Sequence, residues 1–208
     1  MVEAVKTRRR RAPRGHGERL REEILSATEE LLIKTGDQEA VSIRAVADAV
    51  GVTPPSIYLH FADKTDLIFA VCERHFAKFD QVVEEAGSRS DDPMESLRLR
   101  GEAYVRFGLE HPEQYRILFM TKPAEVPDGW SHERLINNAA FGHLVQAVQR
   151  CLNAGVFVDG DPVLIASGLW VVVHGLTSLL ISDRGLAWPL DDLLKHVIGT
   201  YQAGLRRR

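Results

Sequence analysis

Residues 42–67 read SIRAVADAVGVTPPSIYLHFADKTDL, and this stretch decides the fold. Ser42 offers a side-chain oxygen that can cap a helix, and the apolar residues after it recur at the three- and four-residue steps of one helical face. Gly51 ends this short helix, because glycine readily adopts the left-handed backbone conformation that closes a helix. The apolar positions are Ile43, Val46, Ala47 and Val50.

A second short helix is predicted over residues 54–61, only three residues after the first. Pro54 and Pro55 fill its first two positions, where a missing backbone N–H group costs little and a fixed φ favours helix initiation. Thr53 is placed to cap this helix, and Asp63 is placed to cap the longer helix that follows.

Two short helices joined by a three-residue turn with a glycine have the form of a helix-turn-helix. In that motif the second helix enters the major groove of DNA by its N-terminal end. Arg44 sits where a long cation can reach a phosphate or a base edge, although a solvated arginine is the alternative. Ile57 and Phe61 should point into the core. The residues expected to face outward are Thr53, Pro54, Pro55, Ser56, Tyr58 and His60.

The rest of the chain also has helical periodicity, and no stretch is predicted to be a strand. Residues 171–173 favour β-structure, but they lie in an apolar stretch far longer than an ordinary strand. The predicted fold class is therefore all-α, with a three-helix N-terminal domain and a larger C-terminal helical domain. The helices predicted outside the motif cover residues 18–35, 63–86, 93–109, 112–120, 131–154, 161–182 and 190–205.

Composition and charge narrow the class of protein. The chain has 208 residues, 45% apolar and 26% charged, which excludes disordered and collagen-like classes. Residues 1–21 carry a net charge of +6 and the remainder −9, for a total of −3. A basic arm over residues 1–17 is expected to contact a polyanion, and the alternative is a solvated, mobile tail. Only two cysteines, Cys72 and Cys151, and the lack of an apolar signal sequence after Met1 predict the reducing cytoplasm.

Residues 163–181 hold no Asp, Glu, Lys or Arg and approach the length of a membrane-spanning helix. Spanning is not predicted, because the stretch is alone, is interrupted by His174 and three hydroxyl residues, and has no basic cluster on one flank. A helix that is apolar on every face is expected to be buried on every face, at the centre of a bundle or against a second subunit.

Residues 42–67 resemble the DNA-binding signature of the TetR family of bacterial transcriptional regulators. HPEQYRILF at 111–119 and WVVVHGL at 170–176 resemble a C-terminal subclass of that family with a Trp-His-Gly element. Many members place a small residue where Pro55 stands, and two prolines favour van der Waals contact with thymine methyl groups over backbone hydrogen bonds. The matching residues are Ser42, Ile43, Val46, Ala47, Gly51, Val52, Tyr58, His60, Phe61, Lys64 and Leu67.

The resemblance implies roles for three residues. Lys64 contacts a phosphate, Tyr58 supports a phosphate contact from the recognition helix, and Ser42 caps its helix and touches the DNA backbone. The candidate DNA-binding set is Ser42, Arg44, Thr53, Pro54, Pro55, Ser56, Tyr58, His60 and Lys64.

A ligand pocket is the second expectation. His174 follows Trp170 by one helical turn, and a buried imidazole needs a polar partner. It is either a satisfied core or dimer-interface histidine, or one of the few polar groups in an apolar pocket. The aromatic residues expected to line such a pocket, with plain core packing as the alternative, are Tyr104, Phe107, Tyr115, Phe119, Trp130, Phe141 and Trp170.

The chain has no phosphate loop, dinucleotide fingerprint or nucleophile motif, so no enzymatic activity and no cofactor are expected. No metal site is predicted, since Cys72 and His75 are only an isolated pair three residues apart. Cys72 and Cys151 lie in apolar helical stripes, which is typical of packing rather than of redox sensing.

These observations predict a ligand-responsive, sequence-specific transcriptional regulator, specifically a repressor that a small apolar or aromatic inducer releases from a palindromic operator. Its expected parts are the basic arm 1–17, a DNA-binding domain 18–66 and a ligand-binding and dimerisation domain 67–208. The last two helices would form a homodimer, because two recognition helices must reach half-sites about 34 Å apart or at a multiple of that spacing.

Inducer binding would act through the helix over residues 63–86, which begins beside the DNA and ends in the ligand domain. The expected location is the bacterial cytoplasm, in association with the nucleoid, with no membrane contact. Two alternatives are a non-specific architectural DNA-binding protein, and a helical small-molecule-binding protein with no DNA function.

Overall fold

The computed structural model of the protein describes residues 16–119, 139–182 and 189–206, and this part of the chain is helical apart from turns and one isolated bridge between Phe157 and Arg206. The all-α prediction is confirmed. The helices are α1 (His16–Thr35), α2 (Ile43–Val50), α3 (Pro54–Ile57), α4 (Lys64–Gly87), α5 (Pro93–Glu110), α6 (Pro112–Phe119), α7 (Ala139–Asn153), α8 (Pro162–Ser182) and α9 (Leu190–Leu205).

The described residues form two compact units. The first contains residues 16–75 and 116–119, and the second contains residues 76–115, 139–182 and 189–206. Helix α4 contributes to both units, since the division follows His75.

The first helix begins earlier than the sequence predicts. Helix α1 starts at His16, two residues before the predicted start and inside the segment expected to be a mobile arm. Glu18 lies in its first turn, where a carboxylate stabilises the positive end of the helix dipole. The rest of that arm, residues 1–15, lies outside the described residues.

Helix α2 has the predicted caps at both ends. Ser42 Oγ accepts a hydrogen bond from the Ala45 N–H group at 3.1 Å. Gly51 has a φ of 77°, and its N–H group bonds the Ala47 carbonyl, so the chain turns sharply where a side chain would be strained. Val46 and Ala47 are buried, which fixes the face that α2 turns to the core.

Helix α3 is shorter than predicted, because it ends at Ile57 rather than at residue 61. The Ile57 carbonyl accepts from the N–H groups of both His60 and Phe61, at 2.9 and 3.1 Å, so residues 58–60 form a tight turn. Ile57 and Phe61 are nevertheless buried as predicted, at 0% and 2% exposure.

The predicted side-chain cap of Thr53 is wrong. Thr53 occupies the N-cap position, but its Oγ1 lies 3.1 Å from Ser56 Oγ and caps no amide. Pro54 and Pro55 have no N–H group to offer, and the Ser56 N–H group bonds the Thr53 carbonyl at 2.8 Å. The hydroxyl therefore has no backbone donor left to satisfy.

Helix α4 begins with the predicted cap. The Asp66 N–H group bonds Asp63 Oδ1 at 2.8 Å, and Asp66 Oδ2 accepts from the Ala62 N–H group at 2.8 Å. This reciprocal arrangement fixes the direction in which the chain enters α4. It also fixes the position of Lys64, the first residue of the helix.

The second unit packs α5, α7, α8 and α9 around one apolar core. Gly108 is required where α5 crosses α8, because a Cβ atom there would lie 2.3 Å from Thr177 Cγ2. The buried residues of this core are Leu97, Ala147, Val148, Cys151, Phe157, Ile165 and Ala166.

Helix α9 matches its predicted range. Met120 and residues 131–138, which the sequence also assigns to helices, lie outside the described residues.

Helix α8 is less buried than expected. It is the one described helix long and apolar enough to cross a membrane on length and composition alone, and only 33% of its most apolar window is buried. Leu164, Val171 and Leu179 are 72%, 62% and 66% exposed, at spacings of seven and eight residues. The chain by itself covers one face of α8 and leaves the other uncovered.

Candidate DNA-binding surface and aromatic cluster

The nine predicted DNA-binding residues all lie in the first unit, on α2, on α3 with its following turn, and at the start of α4. Ser42, Arg44, Thr53, Pro55 and Tyr58 are exposed. The other four residues, Pro54, Ser56, His60 and Lys64, are half-buried. Each is at least partly accessible to a macromolecule, although four are less exposed than the helical pattern predicts.

The two candidate phosphate-binding cations differ in their surroundings. Within the described part of the chain, no carboxylate lies at ion-pair distance from Arg44. Lys64 Nζ, by contrast, lies 3.4 Å from Glu39 Oε2, and both side chains are accessible to solvent. A phosphate that binds the Lys64 ammonium group would compete with the Glu39 carboxylate for it, because an ammonium group that is shared by two anions binds each of them more weakly.

Leu59 is a surface residue that the sequence analysis did not select. Its side chain is 83% exposed, between Tyr58 and His60 in the turn after α3. Single exposed apolar side chains are common on protein surfaces, so the exposure of Leu59 alone assigns it no role. The signal available in the sequence was its position, since it lies between Tyr58 and His60, which were both assigned to the surface.

Ion pairs attach α4 to α1 within the first unit. Arg74 Nη1 lies 3.6 Å from Glu22 Oε2, and Arg74 Nη2 bonds Glu29. The buried His75 places Nε2 3.4 Å from Glu29 Oε1. Because Glu29 is largely buried, this network is less screened by solvent than an ordinary surface pair, and it holds the first half of α4 in place.

Four polar aromatic residues of the second unit form a connected cluster, here called the aromatic cluster: Tyr104, Tyr115, Trp170 and His174. Trp170 Nε1 donates to Tyr104 Oη at 3.2 Å, and the Tyr104 and Tyr115 hydroxyl oxygens are 3.1 Å apart. Tyr115 Oη lies 2.7 Å from His174 Nδ1, and Tyr104 Oη lies 3.1 Å from it. The prediction that His174 needs a polar partner is confirmed.

The pKa shifts of the cluster favour neutral groups. Burial raises the pKa of both tyrosine hydroxyls and lowers the pKa of His174. A neutral imidazole can accept a hydrogen bond at Nδ1, which is consistent with donation from Trp170 to Tyr104, then to Tyr115, then to His174. The cluster is therefore a short chain of uncharged donors and acceptors in an apolar setting.

Other predicted pocket residues are divided between the units. Phe107 is buried, and Phe79, which the sequence analysis did not select, contacts both Phe107 and Tyr104 edge to face. Phe141 lies 6.3 Å from Trp170 by ring centroids. Phe119 belongs to the first unit. Trp130 lies outside the described residues.

The two cysteines have the surroundings of packing residues. Burial raises the pKa of both the Cys72 and the Cys151 thiols to about 11. Cys151 is fully buried, and its Sγ donates to the Pro93 carbonyl at 3.3 Å. A thiol with a raised pKa forms little reactive thiolate at neutral pH, as expected from the apolar pattern around both residues.

Comparison with known proteins finds two family models that match separate stretches of the chain. Residues 24–71 match the model of the bacterial regulatory proteins of the tetR family, and residues 97–201 match that of the Tetracyclin repressor-like C-terminal domain. Over 100 residues, 48% of this chain, the sequence is 34% identical to the HTH-type transcriptional activator FasR of Mycolicibacterium smegmatis, and the match covers 45% of that relative.

Solved structures agree over nearly the full length. A protein of unknown function from Rhodococcus sp. RHA1 has a TM-score of 0.78 and 26% identity, with 95% of this chain and all of that one covered. A TetR family transcription regulator from Marinobacter aquaeolei VT8 has a TM-score of 0.71 and 21% identity, with coverages of 94% and 100%. The chain therefore belongs to the TetR family of DNA-binding transcriptional regulators, which are not enzymes.

Proposed function

We propose that the protein is a homodimeric repressor that binds a palindromic operator and is released by a small apolar or aromatic molecule. The observation that carries this proposal is the contrast within residues 53–61, where Ile57 and Phe61 are buried while Tyr58 and Leu59 face solvent. A recognition segment anchored on one side and exposed on the other can enter the major groove without unfolding. The DNA-binding domain then comprises residues 18–66.

The DNA-binding residues divide into two groups by chemistry. Ser42, Arg44 and Lys64 hold phosphates and set the position of the protein on the duplex. Residues of the recognition segment contact base edges, and Leu59 adds an apolar surface suited to thymine methyl groups. Tyr58 supports a phosphate contact, and the groove-facing set is Thr53, Pro54, Pro55, Ser56, Leu59 and His60.

Dimerisation would cover the exposed face of α8. Leu164, Val171 and Leu179 lie on this face, and burial of each contributes about 1.5–3 kcal/mol. An open groove of about 610 Å³ lies beside it, lined by Val172 and by residues of α9 that include Val197 and Tyr201. A symmetric pair of α8 and α9 helices suits a palindromic operator. Burial of α8 in a dimer would also account for the presence of a charge-free helix in a cytoplasmic, nucleoid-associated protein with no membrane contact.

Inducer recognition would use the aromatic cluster of the domain formed by residues 67–208. Its hydroxyl groups and the His174 imidazole are uncharged and lie among Phe79, Phe107 and Phe141, so they suit a mainly apolar molecule with one polar group. Helix α4 connects this unit with the operator-binding residues through the chain itself. The ligand would favour a dimer whose recognition segments no longer fit successive grooves.

Selection of bound duplexes from a random DNA pool tests the function directly. The wild-type protein should enrich a palindromic motif, and a reporter with that motif in its promoter should be expressed less when the protein is made. Lys64→Ala should weaken binding to all sequences and lower the salt dependence by about one phosphate contact, whereas Ser56→Ala or Pro55→Ala should change the preferred bases. Binding without any enriched motif would favour an architectural protein, and no binding would favour a ligand-binding protein without DNA function.

Glu39→Gln should strengthen DNA binding, because it frees the Lys64 ammonium from its carboxylate partner. Exposed ion pairs contribute about 0–1 kcal/mol, so the affinity should rise by at most about fivefold in an anisotropy titration at fixed salt. Glu30→Gln, which removes an exposed carboxylate from α1, is the matched control. Equal effects of the two substitutions would mean that only net charge matters.

Val171→Asp should convert the dimer into a monomer, because it places a charge in the centre of the proposed apolar interface. Sedimentation velocity of the wild-type protein and the variant at equal concentration measures this change. Val82→Asp, at an exposed valine of α4, is the control and should leave the mass unchanged. A monomeric wild-type protein, or a dimeric Val171→Asp variant, would contradict the proposed interface.

A compound that releases the operator should depend on the Tyr104 hydroxyl. In a panel of aromatic and aliphatic small molecules, at least one should release the labelled operator, and Tyr104→Phe should raise the concentration required by about tenfold, the cost of one hydrogen bond. Operator affinity without the compound should stay the same. Ser88→Ala, at an exposed hydroxyl just after α4, is the control for loss of a hydroxyl elsewhere, and an identical response of all three proteins would exclude the cluster as the inducer site.

A further inference from the structure

A group of metal-ligating side chains lies in the second unit, outside the aromatic cluster. Asp80 and Glu84 are one turn apart on α4, and His143 faces them from α7. His143 Nδ1 lies 2.9 Å and 3.1 Å from the two carboxylate oxygens of Asp80, and 3.9 Å from Glu84 Oε1. One nitrogen and two carboxylates from different helices therefore converge on one point.

The spacing of these atoms is close to that around a bound metal ion. Donor atoms about 2.0–2.2 Å from a divalent transition metal lie about 3.0–3.5 Å from one another in tetrahedral or octahedral geometry. The Asp80 and His143 atoms already meet this requirement, whereas Glu84 Oε1, at 3.9 Å from His143 Nδ1, must move closer before it can share the ion. The side chains are 16%, 33% and 38% exposed for Asp80, Glu84 and His143, so an ion can enter from solvent.

Arg100 holds the Glu84 carboxylate in place. Its Nη2 donates to Glu84 Oε2 at 3.0 Å, its Nη1 bonds Oε1, and the Arg100 side chain is only 5% exposed. Carboxylates that bind metals are commonly oriented by such partners. Each oxygen retains a lone pair for an ion. The guanidinium neutralises one of the two carboxylates, and Arg150 adds a second positive charge near Arg100. The expected affinity for a cation is therefore moderate.

We propose that Asp80, Glu84 and His143 form a binding site for a first-row divalent transition-metal ion, with water completing its coordination. Two carboxylates and one imidazole suit Zn²⁺ or Mn²⁺ better than Ca²⁺, which prefers oxygen donors alone, or Cu⁺, which prefers sulfur. The site shares no residue with the aromatic cluster, so a bound ion would be a second ligand of the regulatory unit. Its ligands join α4 to α7, and the ion would take the place of the proton on His143 Nδ1.

Zinc binding to the full-length, tag-free protein tests the site. After treatment with a chelator, equilibrium dialysis against Zn²⁺ should give one ion per chain, and the ion should raise the melting temperature because it binds only the folded form. His143→Gln and Asp80→Asn should each weaken binding at least tenfold. Asp91→Asn, at an exposed carboxylate, and His111→Gln are matched controls and should bind as the wild type does.

A measurement on the unmodified chain covers the case in which a variant fails to fold. Trace Mn²⁺ should broaden the imidazole resonances of His143 before those of the other seven histidines. Undiminished Zn²⁺ binding by folded His143→Gln and Asp80→Asn, absence of saturable binding by the wild type, or uniform broadening of all the histidines would each overturn the proposal. Asp80 and His143 would then be a simple hydrogen-bonded pair.

Discussion

Burial of Ile57 and Phe61 constrains every other side chain of the recognition segment. The two residues are four apart, and both insert into the core of the first unit, where at most 2% of either remains exposed. Of the residues between them, Tyr58 and Leu59 then point outward and His60 is half-buried. The tight turn after α3 follows from the same constraint, because the Ile57 carbonyl accepts from two successive amides to bring Phe61 back to the core. DNA recognition in this protein thus depends on an apolar anchor that the DNA does not touch.

Local chemistry explains what the sequence could predict. Ser42, Gly51 and Asp63 act on backbone groups within four residues, so their effects on α2 and α4 could be inferred without knowledge of the fold. The same reasoning failed at Thr53, because two prolines removed the amides that its hydroxyl would have capped. It also underestimated the length of α1, because the first turn of this helix includes His16 and Gly17 despite their low helix propensity.

Contacts between distant residues could not be predicted in this way. Glu39 and Lys64 are 25 residues apart, Asp80 and His143 are 63 apart, and each pair meets only because distant segments of the chain pack together. The composition of the aromatic cluster was largely anticipated, but its connectivity was not, since hydrogen-bond directions depend on atomic positions. The sequence also could not show which face of α8 is left uncovered. A charge-free helix has no polar stripe that would mark the side left open.

The two prolines at the start of α3 have a thermodynamic consequence. Their rings fix φ near −65° whether or not DNA is present, so this part of the recognition segment has little backbone freedom to lose when it binds. Proline also restricts the residue before it, which extends the restraint to Thr53. In the proposed complex the segment would enter the groove already ordered. Its association with DNA should therefore carry a smaller entropic penalty than that of a glycine-containing counterpart, and a poorer ability to adjust to imperfect sites.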